Sequence, residues 1–374
     1  MKGRLLSLAL VVYFPLTTLA GEKGGAVEDP HSKASAVWSP EAAARYLDSR
    51  AAWWQSWPKS QRDHETVCVS CHTMLPYALA RPKLRAELKE PEVAGPERSM
   101  IQNVRKRVFL WAEVQPYYLD EKAGPGKSKE SRSTEAVLNA LVLASNNRGQ
   151  KEVDPVSRKA FEAAWALQIK SGDQAGAWDW QIFHLAPWES KESQYQGATF
   201  MALAAGWAPA KYSREPAIQS NLELLRSYLR RNYDSQPLLN RIVVLWASYR
   251  LAGLLSKREK QELVEAIIEK QQPDGGWSLP SLGSWDRSDH TPQSRESDGY
   301  ATGLVTLSLH QAGLKSARNA SLEGRTWLEL HQDTHIGAWR ADSLNKKRDP
   351  NGDAGKFMSD AATGFAVLAL ESSH

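Results

Sequence analysis

The chain is poor in cysteine: its 374 residues carry two, Cys68 and Cys71. That excludes a disulfide framework, because a bridge between residues three apart removes little entropy from the unfolded chain. Strand signals are also scarce. There is no sustained period-2 alternation, and no Asn-Gly or Asp-Gly stands between two alternating runs. Long apolar runs are confined to residues 5–16, short of the roughly 20 residues that span a bilayer. No membrane span is therefore expected in the mature chain. Charge of one sign is absent too, with 47 Lys+Arg against 43 Asp+Glu and a formal charge of +4. The basic runs Arg105-Lys106-Arg107 and Lys346-Lys347-Arg348 are too short for a nucleic-acid stripe and read as solvated helix faces or loops.

What is present begins with an export signature. Lys2 and Arg4 precede the apolar run, and Thr18-Leu19-Ala20 places small residues before Gly21. Residues 1–20 read as a secretory signal, with an uncleaved membrane anchor as the rival reading, and 21–37 as a flexible leader. A periplasmic or secreted protein is expected. Fifteen Trp residues call for a large core or a binding surface.

Apolar segments rich in Ala, Thr, Gly and Leu recur at 73–85, 134–145, 197–206, 240–255, 300–313 and 362–370. Apolar nearly all round at helical length, they read as helices buried on every side. Amphipathic segments such as 158–170 and 257–270 lie between them. A second pattern follows these: Gln168 before Gly176-Ala177-Trp178, Gln272 before Gly275-Gly276-Trp277, and Gln332 before Gly337-Ala338-Trp339. Each reads as a helix end, a glycine turn and a Trp folded back over the helix terminus. Helix pairs that cannot hide their apolar faces alone must stack. The expected fold is all-α, an (α/α)6 toroid of helical hairpins in a single domain, with an open solenoid as the bland alternative. Residues 38–130 form a first, degenerate repeat and 131–374 the regular ones.

The Gln…Gly-x-Trp copies resemble the QW motif of squalene–hopene and oxidosqualene cyclases, over residues 158–373. The resemblance implies the α/α-toroid also used by prenyltransferase β-subunits, some polysaccharide lyases and complement thioester domains. Their chemistry is not implied with it. The Asp-rich DxDD acid of the cyclases is absent, since the chain has no Asp-Asp pair. Thr66 and Val69 stand where a prenyltransferase zinc site needs Asp before its Cys. The thioester motif Gly-Cys-Gly-Glu-Gln is missing. Trp178, Trp180, Trp188, Trp277 and Trp285 are candidates to line a cavity, with structural capping the stronger reading for Trp178 and Trp277.

Cys68-Val69-Ser70-Cys71-His72 is the attachment pattern of c-type haem. Residues three apart share a face of a helical turn, so both thiols can meet the vinyl groups of one haem edge. His72 then ligates the iron. A Cys68–Cys71 redox disulfide is the first rival, although no βαβ pattern surrounds it. Zinc is the second, with His64 the only other nearby histidine. The motif falls where later copies begin their inner helices, at Ser193, Asp298 and Asp360, which places it at the mouth of a central cavity. Candidates for the second axial ligand are His64, His184, His290, His335, Met100 and Met358, with an open site equally allowed. Asp349, Asn351, Asp353 and Asp360 weakly resemble a calcium loop, but Ala354 and Asp360 replace its essential Gly and Glu. A polar loop capped by Asp360 is the simpler reading and Asp298 reads as a helix cap, with either acid serving as a general acid at the cavity mouth as the alternative. The leading expectation is an exported c-type haem protein with a redox or electron-transfer role, a redox partner, and a hydrophobic or sugar-like ligand in the cavity. The alternatives are a haem-independent cyclase-like or polysaccharide-degrading enzyme, and a binding scaffold without turnover.

Overall fold

A computed structural model describes residues 38–373. The signal segment and leader of the sequence reading lie outside the described residues. In chain order the elements are α1 (Pro40–Ser56), β1 (Gln61–Arg62), β2 (Thr66–Val67), α2 (Met74–Glu87), α3 (Gly95–Phe109), α4 (Asp120–Ala123), α5 (Lys127–Asn146), α6 (Pro155–Ala166) and α7 (Ser193–Trp207). There follow α8 (Pro216–Arg231), α9 (Leu238–Ala247), α10 (Lys257–Ile268), α11 (Gly299–Ala312), α12 (Arg318–Leu330) and α13 (Lys356–Leu370). The two short strands pair antiparallel, Arg62 opposite Thr66.

The expected ring is present and it closes. Helices α2, α5, α7, α9, α11 and α13 each pack on the next, and α13 packs back on α2. An open solenoid would lack that last contact. Helices α1, α3, α6, α8, α10 and α12 pack outside the inner six. The inner helices are buried almost throughout, whereas α8 buries one stripe of Ile218, Leu222, Leu225, Tyr228 and Leu229. Small residues let the inner helices approach: a Cβ added at Gly303 would lie 2.6 Å from the Ala366 backbone nitrogen.

The Trp residues of the repeated motif are caps. The indole nitrogens of Trp178, Trp277 and Trp339 donate to the carbonyls of Ala164, Ile267 and Leu328, in the last turn of the preceding outer helix. These are orphan acceptors of a helix C-terminus. The glutamines tie that end to the following outer helix. Gln168 donates to the carbonyls of Gly176 and Asn221. Gln332 donates to those of Gly337 and Ser39, and accepts from the Ser39 N–H at 2.6 Å. The last repeat thus grips the first. In the middle copy the sequence reading slips by one residue. Gln271, not Gln272, bonds the carbonyls of Gly275 and Ala320, while Gln272 reaches Arg295. In the first repeat Gln55 donates to the Pro96 carbonyl at the start of α3, the same linkage in degenerate form.

Two further boundaries differ from expectation. The segment 240–255 is helical only to Ala247, where the Ser248 hydroxyl takes the Leu245 carbonyl and turns follow. Asp360 does not cap α13, which starts four residues earlier at Lys356. Its side chain faces inward instead.

Candidate functional site

The segment carrying Cys68, Cys71 and His72 is not helical. It runs from β2 through a turn into α2, held by side chains that bond its backbone. The Trp54 indole donates to the Cys68 carbonyl at 2.8 Å, and the Val69 N–H donates to the Tyr117 hydroxyl. The Ser70 hydroxyl accepts from the N–H groups of Thr73 and Met74, so Ser70 caps α2 from within the motif. Behind it, the buried Arg107 guanidinium binds both oxygens of Glu135 and the Thr66 hydroxyl. The expected helical turn is displaced because these bonds satisfy the backbone in an extended path. Both cysteines are free and 7% exposed. Burial pushes the Cys68 thiol up to about 11, and raises Cys71 further with the help of Glu189. Both are neutral thiols near pH 7, not thiolate nucleophiles.

His72 is oriented by a relay. Its Nδ1 lies 2.9 Å from the Thr73 hydroxyl, and that hydroxyl donates to Asp360 Oδ2 at 2.7 Å. Asp360 Oδ1 accepts from the Tyr46 hydroxyl and Arg50 Nε, each at 2.8 Å. The carboxylate paired with Arg50 only accepts, so Thr73 spends its single proton there and must accept from His72. Nδ1 therefore carries the imidazole proton and Nε2 a free lone pair. Burial, then the Arg50 charge, pulls the imidazole down to about 3. A neutral ring with Nδ1–H anchored is the form that ligates a metal.

His72 lines a cleft of ≈210 Å³ that opens to solvent. Its walls are largely aromatic or apolar: Trp54, Trp57, Trp188, Phe357 and Met358, with Arg348 at hand for an anion. Phe357 stacks on the imidazole face at 3.9 Å, and Trp54 meets the ring edge-on at 5.1 Å. Trp188, a cavity candidate from the sequence, is placed here, while Trp180 is buried and donates to the Trp188 carbonyl. Of the axial-ligand candidates only Met358 lines the cleft. His64, His184, His290 and His335 are exposed and do not line it, and Met100 is buried within α3. No sequence signal singled out Thr73 or Phe357.

Glu189 was also missed. It lines the cleft beside both thiols, and burial pushes its carboxyl up to about 7. A folded-state value above the unfolded one stabilises the fold at pH below about 4.5. That contribution is lost as pH rises through about 7. Glu189→Gln should therefore raise stability at pH 8 by roughly 1–3 kcal/mol and change little at pH 4. Urea unfolding at the two pH values checks this, and an equal effect at both would exclude it.

A neighbouring cleft of ≈200 Å³ holds Asp298, Asp342, Arg287 and Arg340, and Ser343 borders both clefts. Asp298 caps α11, accepting from the N–H groups of Tyr300 and Ala301 and of Leu279. The motif thus shares one end of the ring with Asp298 and Asp360. Asp360, twelfth in the calcium-like count, spends its oxygens on Tyr46, Arg50 and Thr73. A cation in the 349–353 loop would have to bind without it. Among the described residues no group of three or more His, Cys, Asp and Glu side chains is placed to hold a metal ion.

Comparison with known proteins adds little. No protein family matches the sequence, and no curated protein is similar to it. A solved polysaccharide lyase is similar at 13% identity with a TM-score of 0.35, over 90% of each chain. A likeness that low carries no argument about activity. Among the described residues no helix is long and apolar enough to cross a membrane.

Proposed function

We propose that this chain is an exported c-type haem protein, with the toroid as scaffold and the cleft beside His72 as the haem site. The observation that carries the reading is the state of His72, a neutral imidazole whose Nδ1 lies against the Thr73 hydroxyl, itself bonded to Asp360, at an aromatic-lined cleft and in the same segment as two free thiols. The donor types are those of a haem-attachment segment, two thiols, one imidazole nitrogen and aromatic neighbours, with Arg348 at hand for a propionate, although neither Cys68 nor Cys71 lines the cleft. The enclosed space of ≈210 Å³ is smaller than a porphyrin, so the side chains as placed do not enclose the group. Haem supplies one-electron chemistry when bound. Cys68 and Cys71 would carry the covalent bonds and His72, its orientation fixed through Thr73 and Asp360, would ligate the iron.

A haem-independent enzyme would need an acid free to exchange its proton. Asp360 is committed to Arg50, Tyr46 and Thr73, and the acid left for such chemistry is Glu189, whose carboxyl burial pushes up to about 7 in the same cleft. Expression with haem-attachment machinery tests the proposal. The wild-type chain should keep a Soret band and a haem mass after denaturation, and Cys68→Ser/Cys71→Ser should lose both. A wild-type chain without covalent haem overturns the reading and leaves a scaffold or another enzyme.

A further inference from the structure

We infer that the far mouth of the ring, where the inner helices end, binds an oxyanion, a phosphate or carboxylate group received by the guanidinium of Arg148. The inference is independent of the haem reading. His72 precedes α2, whereas this mouth lies at the other end of the inner helices, about 20 Å away for the 14 residues of α2. Successive inner helices each bring a group there. Lys83 lies in the second half of α2, Arg148 just after α5, Trp207 at the end of α7 and Arg250 just after α9. The Arg148 guanidinium lies 3.6 Å over the Trp207 ring. Arg250 packs on the same turn of α7, since a Cβ added at Gly206 would stand 2.5 Å from the Arg250 Cβ.

The cluster is rich in donors and lacks an acceptor. Nε and Nη2 of Arg148 are buried without a hydrogen-bond partner, and so is Nε1 of Trp207. Nε and Nη2 are the side-on fork that meets two oxygens of one carboxylate or phosphate. Stacking on the indole uses the guanidinium face and leaves that in-plane fork unused. Among the described residues no carboxylate pairs with Arg148. The charge acting on it is a second cation: burial, then Arg250, pulls the Arg148 guanidinium down to about 9, still protonated at pH 7. Lys83 is held below its ordinary range by burial and then by Arg148, with Glu371 acting against them. Arg250 donates to the Gln311 amide oxygen, a neutral acceptor, and its exposure opens the cluster to solvent. Cations at helix C-termini ordinarily serve the last carbonyls. The Arg148 side chain bonds none of them, so the helix ends do not account for its fork. A small oxyanion, free or carried by a larger ligand, satisfies the fork and offsets the repulsion among the three cations.

The test uses the full-length chain, with or without haem. At constant ionic strength, inorganic phosphate or acetate in place of chloride should raise the Tm of the wild type. Arg148→Met keeps an apolar stem over Trp207 and should abolish the rise. Arg148→Lys keeps the charge without the fork and should bind about tenfold more weakly. Arg348→Gln, in the cleft beside His72, should respond as the wild type does. Glycerol 3-phosphate separates the sources: tighter binding than inorganic phosphate supports an anionic group on a larger ligand, and weaker binding supports a free ion. A wild type that responds to neither phosphate nor acetate overturns the inference. So does a rise that persists in Arg148→Met, or an Arg148→Lys protein that binds as tightly as the wild type.

Discussion

Replacing Asp360 by alanine is expected to cost about 3 kcal/mol or more of folding stability, although the residue is a single small acid on a long inner helix. The cost is that of leaving a buried guanidinium without its counter-charge, about 3–5 kcal/mol where one partner of a buried pair is deleted. Arg50 is 6% exposed and donates Nε to Asp360 at 2.8 Å. Its remaining contacts are weaker: the Asp353 carboxylate at 3.6 Å is largely exposed, and the Asp353 carbonyl accepts at 3.2 Å. They keep the expected loss toward the lower end of the range. The same deletion strands the hydroxyls of Tyr46 and Thr73, each an additional cost of about 1 kcal/mol if it finds no new partner. Asp360→Asn keeps an acceptor oxygen but removes the charge, and should lose less. Thr73→Val keeps the Arg50–Asp360 pair and should lose about 1 kcal/mol while releasing His72. Urea unfolding of the three variants orders them. An Asp360→Ala protein within 1 kcal/mol of wild type would mean that Arg50 is served by water or by Asp353, and that the relay is not rigid.

The residues of that relay explain how much could be read from the chain alone. The inner helices were legible because all-round burial leaves a local composition of Ala, Gly, Thr and Leu. The Gln…Gly-x-Trp turns were legible because Gln, glycine and Trp stand close in sequence. The slip between Gln271 and Gln272 shows the limit. Both amides stand at the end of α10, and only the position of the Ala320 carbonyl on the next outer helix selects one. Cys68, Cys71 and His72 were visible as a motif, and the structure brings them to one end of the ring. The helical turn expected there was not found, because Trp54 and Tyr117 take its backbone groups. The partner that sets the His72 tautomer was not visible at all, since Thr73 and Asp360 are 287 positions apart. Asp360 was read as a cap from its place after Ser359, and packing of α13 on α1 and α2 put it to another use. Glu189 and Phe357 carry no motif. Their importance comes only from facing the same cleft.

The other large effect is expected at the seam of the ring, where Gly337→Ala should cost about 3–5 kcal/mol although it adds one methyl group at a turn. Two penalties combine there. Gly337 has φ of 77°, in the left-handed region where a side chain costs about 1–2 kcal/mol. The added Cβ would also stand 2.3 Å from the Ala42 carbonyl oxygen, a backbone atom of α1 that cannot rotate away. Relief requires the loop to withdraw from α1. Withdrawal breaks the two bonds between the Gln332 amide and the Ser39 backbone, the hydrogen bonds by which the last repeat holds the first, each worth about 1 kcal/mol. Gly313 provides the comparison, with φ of 58° and the Tyr249 hydroxyl at 3.5 Å as the nearest atom to an added Cβ. Gly313→Ala carries the backbone penalty without the collision and should cost only about 1 kcal/mol. Thermal or urea unfolding of the two variants isolates the close approach from the dihedral. Equal losses would mean that the seam yields freely and that closure contributes little to stability. A large excess at Gly337 would mean that the ring is held at this one turn, where the loop after α12 meets α1.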